Sequence, residues 1–364
     1  MKTKVVFIIP SLQSGGMERV MSQLLLFFSK HTAFELHLVL YGIKRDIFYE
    51  IPDKVILHKP NFQFNNNLRI WSTIKTLFFI RKTLSKIQPH SILSFGELWN
   101  NFVLLASLGL SFPVYVSDRC QPDKSLGKLH DKLRRFLYPK AKGVVCQTET
   151  AKAIYKKMFT HDNFVVIGNP IKTIAPDDNL PKENIVLSVG RLIETKHYDE
   201  LIQMFAELDQ KNWKLVIVGG DALKQKNKEK LEQLIRDLKM EEKIILAGKQ
   251  SDVDRFYTKS KIFAFTSSSE GFPNVVGEAM TAGLPVIAYD CVAGPSDLIE
   301  DSKSGYLVPT HKKETYKLKL KRLMEDEKLR LQMGEKGQQS VKKISLEAIG
   351  LKFQKAIIGA DTPD

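Results

Sequence analysis

The chain has 364 residues, 43% of them hydrophobic, enough for two ordinary cores, and three scattered cysteines, Cys120, Cys146 and Cys291, which argue for a reducing compartment and against a disulfide frame or cysteine-based zinc site. No apolar run approaches the roughly 18 residues of a membrane span, and residues 5–9 stop at Pro10, too short for a secretory signal, so a cytoplasmic protein is expected. The net charge of +14 is uneven, with 25 Lys and Arg against 11 Asp and Glu in residues 1–175 and 30 of each in residues 176–364, so the first half is expected to meet nucleic acid or an anionic membrane.

Short apolar runs at residues 5–9, 35–40, 91–95, 114–117 and 143–147 have the character of buried parallel strands and alternate with helical patterns. The first run leads into Gly15 and Gly16, where the backbone can approach a ligand closely or simply turn. The pair lacks the spacing of a dinucleotide fingerprint and the Lys-Ser/Thr of a P-loop. Residues 68–87 place Ile70, Trp71, Ile74, Leu77, Phe78, Leu84 and Ile87 at helical spacing, with Lys75, Arg81 and Lys82 around them. Such a helix either buries its apolar face in its own domain or lies on a membrane surface. Residues 128–142 add a second cationic cluster, including Lys132, Arg134 and Arg135. No stacking aromatic series or groove-reading motif accompanies these cations, which favours the membrane over nucleic acid.

A Pro- and Asp-rich connection follows near residues 168–182, and the alternation restarts with runs at 184–189, 214–218, 243–247, 262–265 and 285–288. Two domains are therefore expected, 1–172 and 173–364, with the last helix allowed to return to the first. Arg191 and Lys196 stand after the first strand of the second half, where both can face a diphosphate, the Arg as a planar fork and the Lys as a point charge. Asp252 and Asp254 spell Asp-x-Asp, but they follow Gly-Lys-Gln-Ser and begin a helix, so Asp252 is expected to cap it and no metal is expected there. The run Glu270-Gly-Phe-Pro-Asn-Val-Val-Gly-Glu278 sets two carboxylates eight residues apart across a strand-to-helix turn whose free amides suit an anion. Carboxylates beside an anion site imply a ligand that also carries hydroxyls, as a nucleotide sugar does.

This Glu-x7-Glu run resembles the nucleotide-sugar glycosyltransferases of family 4, as do Pro10-Ser-Leu-Gln-Ser-Gly-Gly-Met-Glu-Arg19, Val189-Gly-Arg-Leu-Ile-Glu-Thr-Lys196, Leu215-Val-Ile-Val-Gly-Gly220 and the Gly294-Pro-Ser-Asp and Ser304-Gly-Tyr-Leu-Val segments. The resemblance implies the α/β GT-B fold, two Rossmann-like doubly wound domains facing each other across a cleft. It implies retaining transfer without a metal or other cofactor. Arg191 and Lys196 would stabilise the leaving diphosphate, Glu270 would contact the sugar and Glu278 the ribose. Gly190, Phe272, Pro273, Asn274 and Val275 would line the donor site, and Gly248, Lys249 and Gln250 would lie near the base. Gly15 and Gly16 would reach the donor phosphate when the domains close. The family usually has Gly after the Lys; here it is His197. Many members carry a His where this chain has Ser117-Asp-Arg-Cys-Gln-Pro, so Asp118 or Arg119 takes that place in catalysis, or serves as a cap and a surface ion pair.

Among family members, the Pro10–Arg19 start and the Leu93-Ser-Phe-Gly-Glu97 run resemble bacterial enzymes of lipid-linked oligosaccharide assembly, including N-acetylgalactosamine transferases. A UDP-sugar donor, an isoprenoid diphosphate-linked glycan acceptor and peripheral attachment to the inner face of the cytoplasmic membrane are expected. A nucleotide-sugar-binding protein without transferase activity and a UDP-N-acetylglucosamine epimerase on the same fold are the alternatives.

Overall fold

The computed structural model describes residues 2–13, 15–42, 47–177, 180–222 and 225–359. They form two compact units, Met1–Pro170 with Leu346–Asp364, and Ile171–Ser345. The division thus comes before Ile171 rather than after residue 172. Ile171 N–H donates to Ile344 O (2.9 Å) and Ile174 N–H to Thr281 Oγ1 (3.1 Å), which binds this part of the connection into the second unit.

The first unit runs β1 (Lys4–Ile9), α1 (Gly16–His31), β2 (Glu35–Leu40), β3 (Val55–His58), α2 (Arg69–Ile87), β4 (Ser91–Phe95), α3 (Glu97–Ser107), β5 (Val114–Ser117), α4 (Lys128–Leu137), β6 (Gly143–Cys146), α5 (Glu149–Met158) and β7 (Phe164–Val166). Its strands form one parallel sheet in the order β3-β2-β1-β4-β5-β6-β7. The central strands β1 and β4 are buried almost throughout because helices cover both faces, which is why they read as unbroken apolar runs. The two edge strands lack that signature. β3 exposes Ile56 and Leu57, and β7 is half-buried along its length, so neither stands out in the sequence.

The second unit runs β8 (Ile185–Val189), α6 (Tyr198–Glu207), β9 (Lys214–Val218), α7 (Asn227–Asp237), β10 (Ile244–Gly248), α8 (Asp254–Lys259), β11 (Ile262–Phe265), α9 (Asn274–Thr281), β12 (Val286–Asp290), β13 (Gly305–Pro309), α10 (Lys313–Glu325) and α11 (Glu327–Val341). Its parallel sheet has the order β10-β9-β8-β11-β12-β13. Strand order reverses between β8 and β11, and the crevice outside their carboxyl ends is where a doubly wound sheet receives a ligand.

The last helix, α12 (Leu346–Ile358), belongs to the first unit. Phe353 is fully buried with its ring 6.2 Å from that of Phe95. Gly350 faces the ring of Phe27 on α1 so closely that a Cβ there would sit 2.3 Å from it. Glycine is the residue that lets the two helices meet. Gly350→Leu should therefore lower the unfolding free energy by about 1–3 kcal/mol through overpacking, measured by urea denaturation against Leu351→Ala, which alters an exposed position of the same helix.

Candidate active site

In the second unit, β8 ends at Val189 and the chain continues through Gly190 and Arg191 into a short 3-10 turn, Glu194–Lys196. Gly190 N–H still donates to Val218 O (2.9 Å), and Gly219 lies so near that a Cβ on it would fall 1.8 Å from Gly190 O. Only glycine at 219 permits this approach, which holds the ends of β8 and β9 together beside the crevice. The 3-10 turn is anchored to the loop after β11. Thr266 Oγ1 donates to Lys196 O (2.7 Å) and Ser268 N–H to Thr195 O (2.9 Å).

That anchoring joins the two most informative residues of the sequence. Lys196 Nζ lies 2.5 Å from Glu270 Oε1, both side chains about 15% exposed, and 5.1 Å from the centre of the Phe265 ring. An ammonium group that gives one hydrogen to a carboxylate beside an aromatic face has two left for an anion. Arg191 is exposed nearby in sequence. Cys291, after β12, feels the same pair: burial first and the Glu270 charge second push its thiol up to about 12, so it is no nucleophile.

Glu278 sits in α9, 6% exposed, and accepts a hydrogen bond from Tyr257 Oη (3.0 Å). Tyr257 belongs to α8 and is itself buried. Sequence reasoning missed it, since a Tyr in an amphipathic helix resembles any core residue. Phe272 and Pro273 are buried while Asn274 and Val275 are partly open at the start of α9. Gly248 ends β10 with φ +68°, and its carbonyl accepts from Gly219 N–H; Lys249 and Gln250 beyond it are exposed. Asp252 Oδ1 accepts from Arg255 N–H (3.3 Å) at the start of α8, and Asp254 pairs with Lys172 (2.6 Å).

His197, where the resembled family has glycine, adopts φ +47° and ψ +46°, the left-handed conformation glycine tolerates best. Its side chain is tied down: Nε2 meets Ser268 Oγ at 2.7 Å and the ring stands edge-on to His311 at 4.7 Å.

Residues 171–340 match the family model for glycosyl transferases group 1. The amylovoran biosynthesis glycosyltransferase AmsD of Erwinia amylovora is 29% identical over 329 residues, covering 87% of this chain and 88% of that one. An alpha-1,4-N-acetyl-D-galactosaminyltransferase of Campylobacter jejuni, named for the acceptor GalNAc-alpha-(1->4)-GalNAc-alpha-(1->3)-diNAcBac-PP-undecaprenol, is 27% identical over 362 residues, covering 97% and 98%. The solved structure of Anabaena HepE in complex with UDP and glucose superposes with a TM-score of 0.80 at 16% identity, covering 97% of this chain and 98% of that one, a likeness of fold. The chain is a glycosyltransferase whose residues 171–340 match group 1.

The transferase has the expected GT-B type of fold, but its first unit places several expected residues differently. Gly15 caps the N-terminus of α1 in an extended conformation (φ −162°), its carbonyl accepting from Tyr49 Oη (3.0 Å), and Gly16 is exposed. Asp118 is 4% exposed and serves as a hub. Tyr138 Oη donates to its Oδ1, Tyr155 Oη to Oδ2 (2.7 Å), and Asn100 Nδ2 to Oδ1 (2.9 Å). Burial, then the Glu97 charge, push its carboxyl above the usual range, against the opposing effect of Tyr138, Arg134 and Tyr155. An acid so enclosed is structural and cannot orient an incoming hydroxyl. Arg119 donates to Asn169 Oδ1 (2.5 Å) and stacks over the Phe95 ring at 3.7 Å, so it is no surface ion pair.

The cationic cluster also divides. Lys132 and Arg135 are exposed, but Arg134 is 1% exposed, with Nη1 3.6 Å from Asp118 Oδ2, and it leaves the expected membrane set. Arg81 is partly withdrawn too, its Nη1 donating to Ala106 O (3.0 Å) and Leu108 O (2.7 Å) at the end of α3. Along α2 the buried face is Ser72, Thr76, Ile80, Leu84 and Ile87, leaving Ile70, Trp71 and Phe78 outside, with Lys75 over the Trp71 ring and Lys82 exposed.

Removing one partner of a buried charge pair strands the other. Arg134→Ala should thus destabilise the protein by about 3–5 kcal/mol, whereas Arg135→Ala should stay within about 0.5 kcal/mol; urea melts of the two variants side by side measure the difference.

Proposed function

We propose that this transferase moves a sugar, with retention of configuration, from a UDP-linked donor to an isoprenoid diphosphate-linked glycan at the cytoplasmic face of the membrane. The observation that carries the donor half is the Lys196–Glu270 pair at the β8/β11 switch point, in the same unit as the buried, Tyr257-held Glu278. Lys196 and Arg191 meet the diphosphate, and their positive charge stabilises the leaving nucleoside diphosphate as the glycosidic bond breaks. The Val275 amide in the first turn of α9 assists, since a helix N-terminus favours an anion. Glu270 accepts from sugar hydroxyls while keeping Lys196 in position, and Glu278 accepts from the ribose. The acceptor hydroxyl attacks from the face the diphosphate leaves, and a departing phosphate oxygen takes its proton. This route needs no general base, which suits a chain whose Asp118 is enclosed.

The acceptor half is supported by the name of the Campylobacter relative, whose acceptor is an undecaprenol diphosphate glycan, and by the surface of the first unit. Ile70 is 79% exposed, Phe78 67% and Trp71 56% on a helix that also carries Lys75 and Lys82, and Phe136, 61% exposed, lies under Lys140 on the neighbouring cationic segment. Among the described residues no helix is long and apolar enough to cross a membrane, so attachment from the side is the mode this surface suits. Basic side chains contribute about 1 kcal/mol each near an anionic surface, and exposed aromatics add a salt-insensitive part.

Lys196→Ala and Arg191→Ala should each lower turnover by about 100-fold or more, as loss of a preorganised electrostatic contact does, and Tyr257→Phe should raise the donor KM with less effect on kcat. Near-parental kinetics in all three would refute the donor assignment. Turnover should survive excess EDTA, because cations and amides rather than a bound ion meet the phosphates; abolition by EDTA with rescue by magnesium or manganese would refute it. In vesicle sedimentation, the protein should bind anionic but not neutral vesicles, with partial release at high salt and weaker binding for Lys132→Glu/Arg135→Glu and for Trp71→Glu. Equal binding to both vesicle types, or to neither, would favour an acceptor free in solution.

A further inference from the structure

Across the turn from Lys196, three side chains form a cluster that the donor chemistry does not use. One ring nitrogen from each of His197 and His311 and one carboxylate oxygen of Glu200 lie within 4.8 Å of one another. His197 precedes α6 and Glu200 is in its first turn, so both belong to one rigid element, while His311 comes from the turn between β13 and α10. Both histidines hold positive φ, +47° and +64°, a conformation unfavourable for a residue with a Cβ, and His197 Nε2 also meets Ser268 Oγ at 2.7 Å, a contact an ion at that nitrogen would replace. His311 Nδ1 is 2.9 Å from Glu200 Oε1, and the two rings stand 4.7 Å apart at 87°. Tyr289 Oη donates to the other carboxylate oxygen at 2.7 Å, the kind of outer hydrogen bond that fixes a metal-binding carboxylate.

We propose that His197, Glu200 and His311 bind a divalent transition-metal ion of the zinc class, with water in the remaining position. Two imidazoles and one carboxylate suit zinc, cobalt or nickel, and are poor ligands for magnesium or calcium, which take oxygen. Bonds of about 2.1 Å in tetrahedral geometry place ligand atoms about 3.4 Å apart, against separations of up to 4.8 Å here, so the cluster must contract by as much as ~1.4 Å. His311, whose side chain is 52% exposed, can supply that movement. Lys313 Nζ, 4.0 Å from Glu200 Oε1, is the like charge an ion would displace, and at 41% exposure it can turn outward to solvent. The site is separate from the phosphate contacts, so it is compatible with turnover in EDTA. Occupancy would clamp the turn that carries Lys196.

The test is titration of ZnCl2 into full-length protein stripped with EDTA and desalted, followed by calorimetry and by thermal melting, since an ion that binds the native state raises the melting temperature. One equivalent should bind saturably and raise the melting temperature, and cobalt should give visible d–d absorption. His311→Ala and Glu200→Gln should each weaken zinc binding at least about 10-fold and abolish the cobalt spectrum. The first unit holds a competing arrangement, His37 with His58 at 3.0 Å and Glu35 at 2.9 Å, so His58→Ala serves as the control and should bind zinc as the parent does. Absence of saturable binding, unchanged binding in His311→Ala and Glu200→Gln, or loss of binding in His58→Ala would each overturn the assignment.

Discussion

Every strand in both sheets runs parallel to its neighbours, and this one constraint governs where chemistry can occur. Parallel strands need a crossover each, so all their carboxyl ends share one edge and loops gather there. At the point where strand order reverses, adjacent loops leave in opposite directions and open a crevice. In the second unit the loop after β8 brings Lys196 and the loop after β11 brings Glu270. Residues 74 positions apart in sequence meet because the topology leaves them no other place. The glycines at the ends of β8 and β9 serve the same requirement, allowing main chains to touch where side chains would force the edge apart.

The first unit uses charge for a different purpose. Its polar centre is one carboxylate, Asp118, held by Asn100 of α3, Arg134 of α4, Tyr138 of the 3-10 turn that follows α4, and Tyr155 of α5. A buried carboxylate is tolerated only when its oxygens are satisfied, and here several elements contribute to that satisfaction. The arrangement makes the packing of α3, α4 and α5 interdependent. It also removes from the surface a cation and an anion that composition alone assigns there.

The fold, and the meeting of Lys196 with Glu270 at the β8/β11 crevice, are legible in the sequence because they depend on local pattern. Buried parallel strands announce themselves as apolar runs, and a strand-end lysine, a Gly-Phe-Pro turn and two glutamates keep their meaning in one dimension. The edge strands β3 and β7 were not legible, since exposure breaks up the apolar pattern. The roles of Asp118, Arg119 and Arg134 were hidden for a further reason: whether a charged residue beyond a strand faces solvent or a partner depends on tyrosines 20 and 37 positions away. Tyr257 behind Glu278 and the histidine pair beside Lys196 belong to the same class of long-range contact. Their residue types are ordinary and only their neighbours make them informative.

Helix α12 gives the chain an unusual order of completion. The second unit is one continuous segment, Ile171–Ser345, whereas the first begins the chain and is completed only by residues made after the second is finished. As the polypeptide leaves the ribosome, the half synthesised first lacks the helix that packs on Phe27 and Phe95, and it keeps an apolar face uncovered while the later half assembles. Domains usually mature from the amino terminus onward; here the amino-terminal half is completed last. Translation stalled or terminated before α12 would leave a finished second unit attached to an open first one, a species marked for chaperones by its exposed aromatic surface.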